Sequence, residues 1–170
     1  MRSKTIIPIL IISAIAIILS SFTIGKQIFL GRQLDIFSFL TIHFAGYLFF
    51  FLMPVEILFI FYLLENFNIP TLLVAALLTA MIAQIIDYTI GYWVSKKIIN
   101  KVIGVKKYQN MKKYIDKYGN LTVLVFNLFP LASSVLALVA GMLRFKLKNL
   151  VIYSFIGLLV KYSVIVLLFS

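Results

Sequence analysis

The chain has no cysteine, one histidine (His43) and five acidic residues in 170 positions. Without cysteine there is no disulfide framework, thiolate zinc site, CxxCH haem attachment or cysteine nucleophile, and no redox compartment can be read. One histidine makes no histidine-rich metal site, and the two acids inside apolar runs make only a weak one, so neither metal nor cofactor is expected. There is no GxSxG elbow, no HExxH and no Gly-rich loop ending in a Walker lysine. Ser133 and Ser134 have no histidine near them in sequence, and an enzyme is not expected. Charge is also scarce: 12% of residues are Asp, Glu, Lys or Arg, against about a quarter in soluble domains.

What fills the chain is apolar. Hydrophobic residues make up 63% and the mean hydropathy is +1.10, which marks an integral membrane protein in one membrane domain. The formal charge is +11. The 16 Lys and Arg lie between apolar runs, where they report topology and contact with anionic lipid, not nucleic acid.

The apolar runs cover 6–24, 36–64, 69–95, 121–143 and 149–170. The first follows Arg2 and Lys4, lacks a convincing small-x-small cleavage site and is followed by further runs, so it reads as a retained helix and not a signal peptide. Eight lysines and one aspartate fill Lys96 to Gly119, and Arg144, Lys146 and Lys148 fill the last gap. Positive charge marks the cytoplasm. With the N-terminus and the 96–119 segment both inside, an even number of crossings must separate them, yet three runs intervene.

The run 36–64 would form a helix of about 43 Å against a hydrocarbon core of about 30 Å, and Pro54 interrupts it. It reads as a re-entrant hairpin. The run 121–143 lies between two basic segments and carries Pro130 near its middle, so it too should enter and return. The expected fold is all-α: transmembrane helices plus two re-entrant hairpins in an inverted repeat, with a site between broken helices. The alternative is that each run is one tilted helix. Within 96–119, Tyr108, Met111, Ile115 and Tyr118 recur at helical spacing and Gly119 suits a C-cap, which predicts an amphipathic helix on the anionic inner leaflet, with membrane lipid as partner along Lys96–Lys117. A homo-oligomer is compatible with the sequence, which does not fix the oligomeric state.

Glu56 is the leading candidate residue. A carboxylate among Phe49, Phe50, Phe51, Leu52, Ile57 and Leu58 must be protonated, paired or facing a wet cavity, and such a group suits proton coupling. The structural alternative is an acid bonded to backbone freed by Pro54. Asp87 is the second embedded acid. Lys161 and Arg144 are its candidate charge partners, with snorkelling toward the lysine-rich face about nine residues away as the alternative, and Lys161 suits either acid. His43 reads as a satisfied helix histidine and not a ligand. Asn127, Ser133 and Ser134, around Pro130, read as polar groups that satisfy a broken backbone or touch a headgroup.

These residues resemble the DedA family, also called SNARE-associated Golgi or VTT-domain proteins, from about Ile36 to the C-terminus. Pro54-Val55-Glu56 is similar to the family's Pro-x-acid element in its first re-entrant segment. Asp87-Tyr88-Thr89-Ile90-Gly91 is similar to its aspartate with Tyr-x-Ile-Gly, and Phe129-Pro130 followed by Ala140-Gly141-Met142 to its second re-entrant segment. The resemblance implies movement of lipids between leaflets, including undecaprenyl phosphate recycling and phospholipid scrambling, with proton-motive force involved in some members, and it places Glu56 on a required acid. The chain departs from the family at Asn127 and Ser133, where arginines usually stand, and at Phe44, beside His43, where an upstream acid stands. Loss of both arginines removes the bidentate phosphate binders.

The expected function is therefore a DedA-like transporter in the plasma membrane, moving a lipid or lipid-linked headgroup with Glu56 and Asp87 as proton-coupling groups. The alternatives are a small proton-coupled exporter of cationic or amphipathic compounds, and a non-transporting membrane scaffold whose acids are structural.

Overall fold

The computed structural model describes residues 35–48, 55–93, 104–129 and 133–169. The first apolar run, 6–24, lies outside the described residues, as do Pro54, Pro130 and 96–103 of the lysine-rich segment. The described residues form helices with no strand among them: α1 Ile36–Tyr47, α2 Val55–Leu64, α3 Ile69–Trp93, α4 Val105–Tyr118, α5 Asn120–Leu128, α6 Ser133–Met142 and α7 Leu147–Phe169.

Two of these are long enough to cross a membrane. At 25 and 23 residues, α3 and α7 span about 37 and 35 Å, more than a hydrocarbon core of about 30 Å. Along α3 the exposed side chains include Val74, Leu78, Ile82 and Ile85, ending in Tyr92 and Trp93. An apolar stripe closed by aromatics suits lipid tails below and headgroups at the end. The 36–64 and 121–143 runs each hold two short helices, and the 10-residue α2 and α6 reach only about 15 Å.

The order short, short, long occurs twice, as α1-α2-α3 and α5-α6-α7, with the same joint each time. Asn66 and Arg144, 78 positions apart, are the two non-glycine residues with positive φ among the described residues, at 59° and 54°. Around Asn66, Glu65 N–H donates to Phe61 O, Asn66 N–H to Leu63 O and Phe67 N–H to Tyr62 O. Around Arg144, Leu143 N–H donates to Val139 O, Arg144 N–H to Gly141 O and Phe145 N–H to Ala140 O. Each pair keeps that offset. A left-handed residue after the last turn satisfies the free carbonyls of the short helix and redirects the chain into the long one.

The halves interlock through α3 and α6. A Cβ on Gly91 would come within 1.9 Å of Leu138 O, and one on Gly141 within 2.0 Å of Tyr88 O. Both glycines are needed because the backbones touch there, as in close membrane-helix packing. Tyr88 Oη donates to Phe145 O at 2.7 Å and ties the joint before α7 to the same face.

The core has two parts. Phe39, Tyr47, Phe59, Tyr62, Leu72, Ala76, Ala80, Leu158 and Tyr162 pack α1, α2, α3 and α7 together. Tyr88, Tyr108, Met111, Ile115, Val123, Leu136, Val139 and Leu150 form the second. Tyr108, Met111 and Ile115 of α4 are therefore covered by protein, while Lys112, Lys113 and Lys117 line an open surface. Periodicity shows which face of a helix is apolar but not whether lipid or protein covers it. On the exposed face the hydrogen bond to Asp116 raises the Lys112 ammonium above its ordinary pKa. Gly119 caps α4 at φ 52°, its N–H donating to Ile115 O at 2.9 Å.

Candidate functional site

Between α1, α2, α3 and α7 lies a row of buried polar side chains in an otherwise aliphatic and aromatic interior. His43 and Tyr47, one turn apart on α1, share a face. Thr79 reaches them from α3, Lys161 and Tyr162 from α7, and Glu56 from the first turn of α2.

Lys161 Nζ donates to Glu56 Oε1 at 2.7 Å and to Tyr47 Oη at 2.8 Å. Tyr47 and Tyr162 hydroxyls are 3.2 Å apart, Tyr162 Oη is 2.8 Å from His43 Nε2, and His43 Nδ1 is 2.6 Å from Thr79 Oγ1. Thr79 Oγ1 donates to Ala75 O at 2.8 Å.

The donors fit together in one sense. An ammonium has protons and no lone pair, so Tyr47 oxygen accepts from Lys161 and its own proton goes to Tyr162. Tyr162 then donates to Nε2, which leaves the imidazole neutral with its proton on Nδ1, given to Thr79. Every proton in the row points away from Lys161, and the row ends on a backbone carbonyl.

The ion pair is shielded, with Lys161 7% and Glu56 19% exposed at the side chain. The ammonium also lies over the Tyr162 and Tyr47 rings, 5.1 and 5.5 Å from their centroids, which adds cation–π attraction. Phe39 stacks on His43 at 4.9 Å and Phe59 lies 4.7 Å from Tyr162, closing the row off with apolar rings. A buried pair of this kind owes its stability to having both members and further hydrogen bonds.

A second polar group joins the other half. Gln84 Nε2 donates to Asn127 Oδ1, and Asn127 Nδ2 donates to Ser154 Oγ at 3.0 Å and to Val123 O at 2.9 Å. Asp87, fully buried, follows Gln84 on α3 by about one turn.

The structure thus brings Glu56 and Lys161 together and places His43 beside them, with both ring nitrogens satisfied. Lys161 is taken by Glu56. Arg144 lies over the Tyr92 ring at 5.2 Å. Ser133 and Ser134 are buried in the first turn of α6. Sequence reasoning missed Tyr47, Thr79, Gln84, Ser154 and Tyr162. One signal was present: Ser154 and Lys161 are seven residues apart, two turns on one face of a helix, with Gly157 and Leu158 buried between them.

A family model described as the VTT domain matches residues 36–170. No curated protein and no solved structure matches the chain.

Proposed function

The chain belongs to the VTT-domain family and is an integral membrane protein of the DedA type, and from that premise we propose that it moves a lipid or lipid-linked headgroup between leaflets, coupled to protonation of Glu56. The observation that carries this reading is the Glu56–Lys161 pair at 2.7 Å, which ties α2 of one half to α7 of the other. In the proposal the two broken runs are re-entrant, the halves are inverted, and the pair is the tie between them. Protonating the carboxylate leaves the Lys161 ammonium without its counter-charge and shifts a two-state packing by a few kcal/mol. Asp87, buried on the same side of α3 as the Gln84–Asn127 contact, is the second group proposed to respond to protons, and the buried Ser133 and Ser134 border the second break.

The protein works as a transporter and not an enzyme in this reading, since its one histidine has both nitrogens committed and its paired serines are enclosed in α6. The lysines of α4 face the anionic inner leaflet of the plasma membrane, which puts α4 and the N-terminus in the cytoplasm. The exporter reading, in which Glu56 binds a cationic compound, is disfavoured by one contact: the carboxylate already holds an internal cation, which a substrate would have to displace.

The test is movement of labelled lipids in liposomes holding the wild type or Glu56→Gln, with and without a pH gradient. The wild type is expected to move lipid faster with the gradient, and Glu56→Gln to lose that response. Gradient-sensitive transport by Glu56→Gln would sink proton coupling through this residue. A wild type that moves no lipid would remove the lipid reading itself.

A further inference from the structure

Lys161 is the one buried cation among the described residues, and a single carboxylate balances it. A buried ammonium without a counter-charge costs several kcal/mol, so the site can lose the charge of Glu56 only if another anion takes its place. We propose that Lys161 is an anion site opened by protonation of Glu56: one proton on the carboxylate and one phosphodiester oxygen on the ammonium bind together, each favouring the other. The inference deepens the lipid-transport reading by assigning its headgroup contact, but it concerns binding and is measured without transport.

The geometry limits what can bind. Nζ has two acceptors, Glu56 Oε1 and Tyr47 Oη. Neutralising Glu56 frees one of its bonding directions, while Tyr47 keeps the ammonium in place. Tyr47 cannot supply a proton to the incoming anion, because its own is committed to Tyr162, and Tyr162's to His43. The site therefore offers one positive charge and no row of neutral donors. One charge balances a monoanion, which favours a phosphodiester headgroup over a dianionic phosphate monoester, whose second charge would remain buried and unbalanced.

The groups able to disturb this balance are few. Elements packed against α2 present His43 and Tyr47 from α1, and Lys161 and Tyr162 from α7. From α3 the neighbour is Thr79, which does not titrate; Asp87, Tyr88 and Tyr92 begin about 12 Å further along that helix. Tyr62 on α2 itself is turned to Asp35 O, to which it donates at 3.2 Å. Glu56 is thus the carboxylate whose protonation changes the charge beside Lys161, and the coupling is reciprocal.

The experiment measures binding of phosphatidylglycerol, and of its water-soluble headgroup diester glycerophosphoglycerol, to the purified full chain in neutral detergent between pH 5 and 8. Wild-type affinity is expected to rise as pH falls, by up to about tenfold per pH unit, because one proton is taken up per anion bound. Glu56→Gln should bind more tightly than the wild type at pH 8, with no pH dependence. Glu56→Gln/Lys161→Met, which removes both charges and avoids stranding one, should lose binding at every pH. Equal binding of the soluble diester would identify the oxyanion alone as the ligand, and binding of the lipid only would identify a lipid headgroup as its source; either supports the site. Wild-type affinity that does not change with pH, no tightening in Glu56→Gln, or binding that survives the double substitution would overturn it. Binding that follows this pattern in a protein that moves no lipid would refute transport and leave the site standing.

Discussion

Gln84 and Tyr162 stand 78 positions apart, at equivalent places on the two long helices, and each donates a hydrogen bond to the first short helix of the opposite half: Gln84 to Asn127 on α5, Tyr162 to His43 on α1. The first short helix in each half is also bonded to its own long helix, His43 to Thr79 and Asn127 to Ser154. Each broken run is therefore held from two sides by polar contacts inside the apolar interior. In hydrocarbon such contacts have no water competing for them, so they specify which helices meet as much as they stabilise them.

The ion pair should show strong coupling. Lys161→Met leaves Glu56 beside aromatic rings with no cation and should cost about 3–5 kcal/mol of stability. Adding Glu56→Gln should recover most of it, because the stranded charge disappears. Thermal unfolding of the single and double variants in detergent measures this. A double variant no more stable than Lys161→Met would mean that the cost came from lost packing.

The direction of the row of hydroxyls is open to measurement, since the chain has a single histidine. In a sample labelled with 15N-histidine the one imidazole should be neutral and carry its proton on Nδ1. Tyr162→Phe removes the donor to Nε2 and should bring the other tautomer into the population. An Nε2-protonated ring in the wild type would mean that the protons of the row point toward Lys161 and not away from it.

Gly91→Ala and Gly141→Ala each drive a methyl group into backbone of the facing helix, at 1.9 and 2.0 Å. Overpacking against backbone cannot be relieved by a rotamer change, so each should cost about 3 kcal/mol or more. The substitutions should not add when combined, because separating α3 from α6 relieves both. Additive losses in melting temperature would argue against a shared contact.

Asn127→Leu should destabilise more than Ser154→Ala. It removes the acceptor for Gln84 and leaves that amide buried with an unmade bond, a loss of about 1–3 kcal/mol, whereas Asn127 keeps its other partners when Ser154 is shortened. A stability cycle over Gln84 and Asn127 would give their coupling. A coupling near zero would mean that the contact contributes only shape.

The all-helical fold was legible because its signals are local: apolar runs, the length excess of 36–64, and charge between segments. Glu56 was legible as an anomaly, since a carboxylate flanked by phenylalanine and leucine demands a partner, but which cation would serve was not. Lys161 is 105 residues away, and spacing along a chain says nothing about contacts between helices from different halves. Tyr47 and Tyr162 were silent for another reason: tyrosine is common near membrane interfaces, and nothing local separates a belt tyrosine from one whose hydroxyl is bonded inside. The glycines of Tyr88-Thr89-Ile90-Gly91 and Ala140-Gly141-Met142 could be quoted as motifs, yet their reason is mutual and visible only with both helices in place.

The row that starts at Lys161 runs through three side-chain rings to Thr79 and stops at the carbonyl of Ala75. An amide oxygen can receive a hydrogen bond but does not pass a proton onward, so this line of groups is a cul-de-sac and not a conduit. A membrane protein that draws on an ion gradient must not short-circuit it while idle. In the proposed proton-coupled transport that one backbone oxygen closes the line, so protons taken up at the Glu56–Lys161 pair have no path along it.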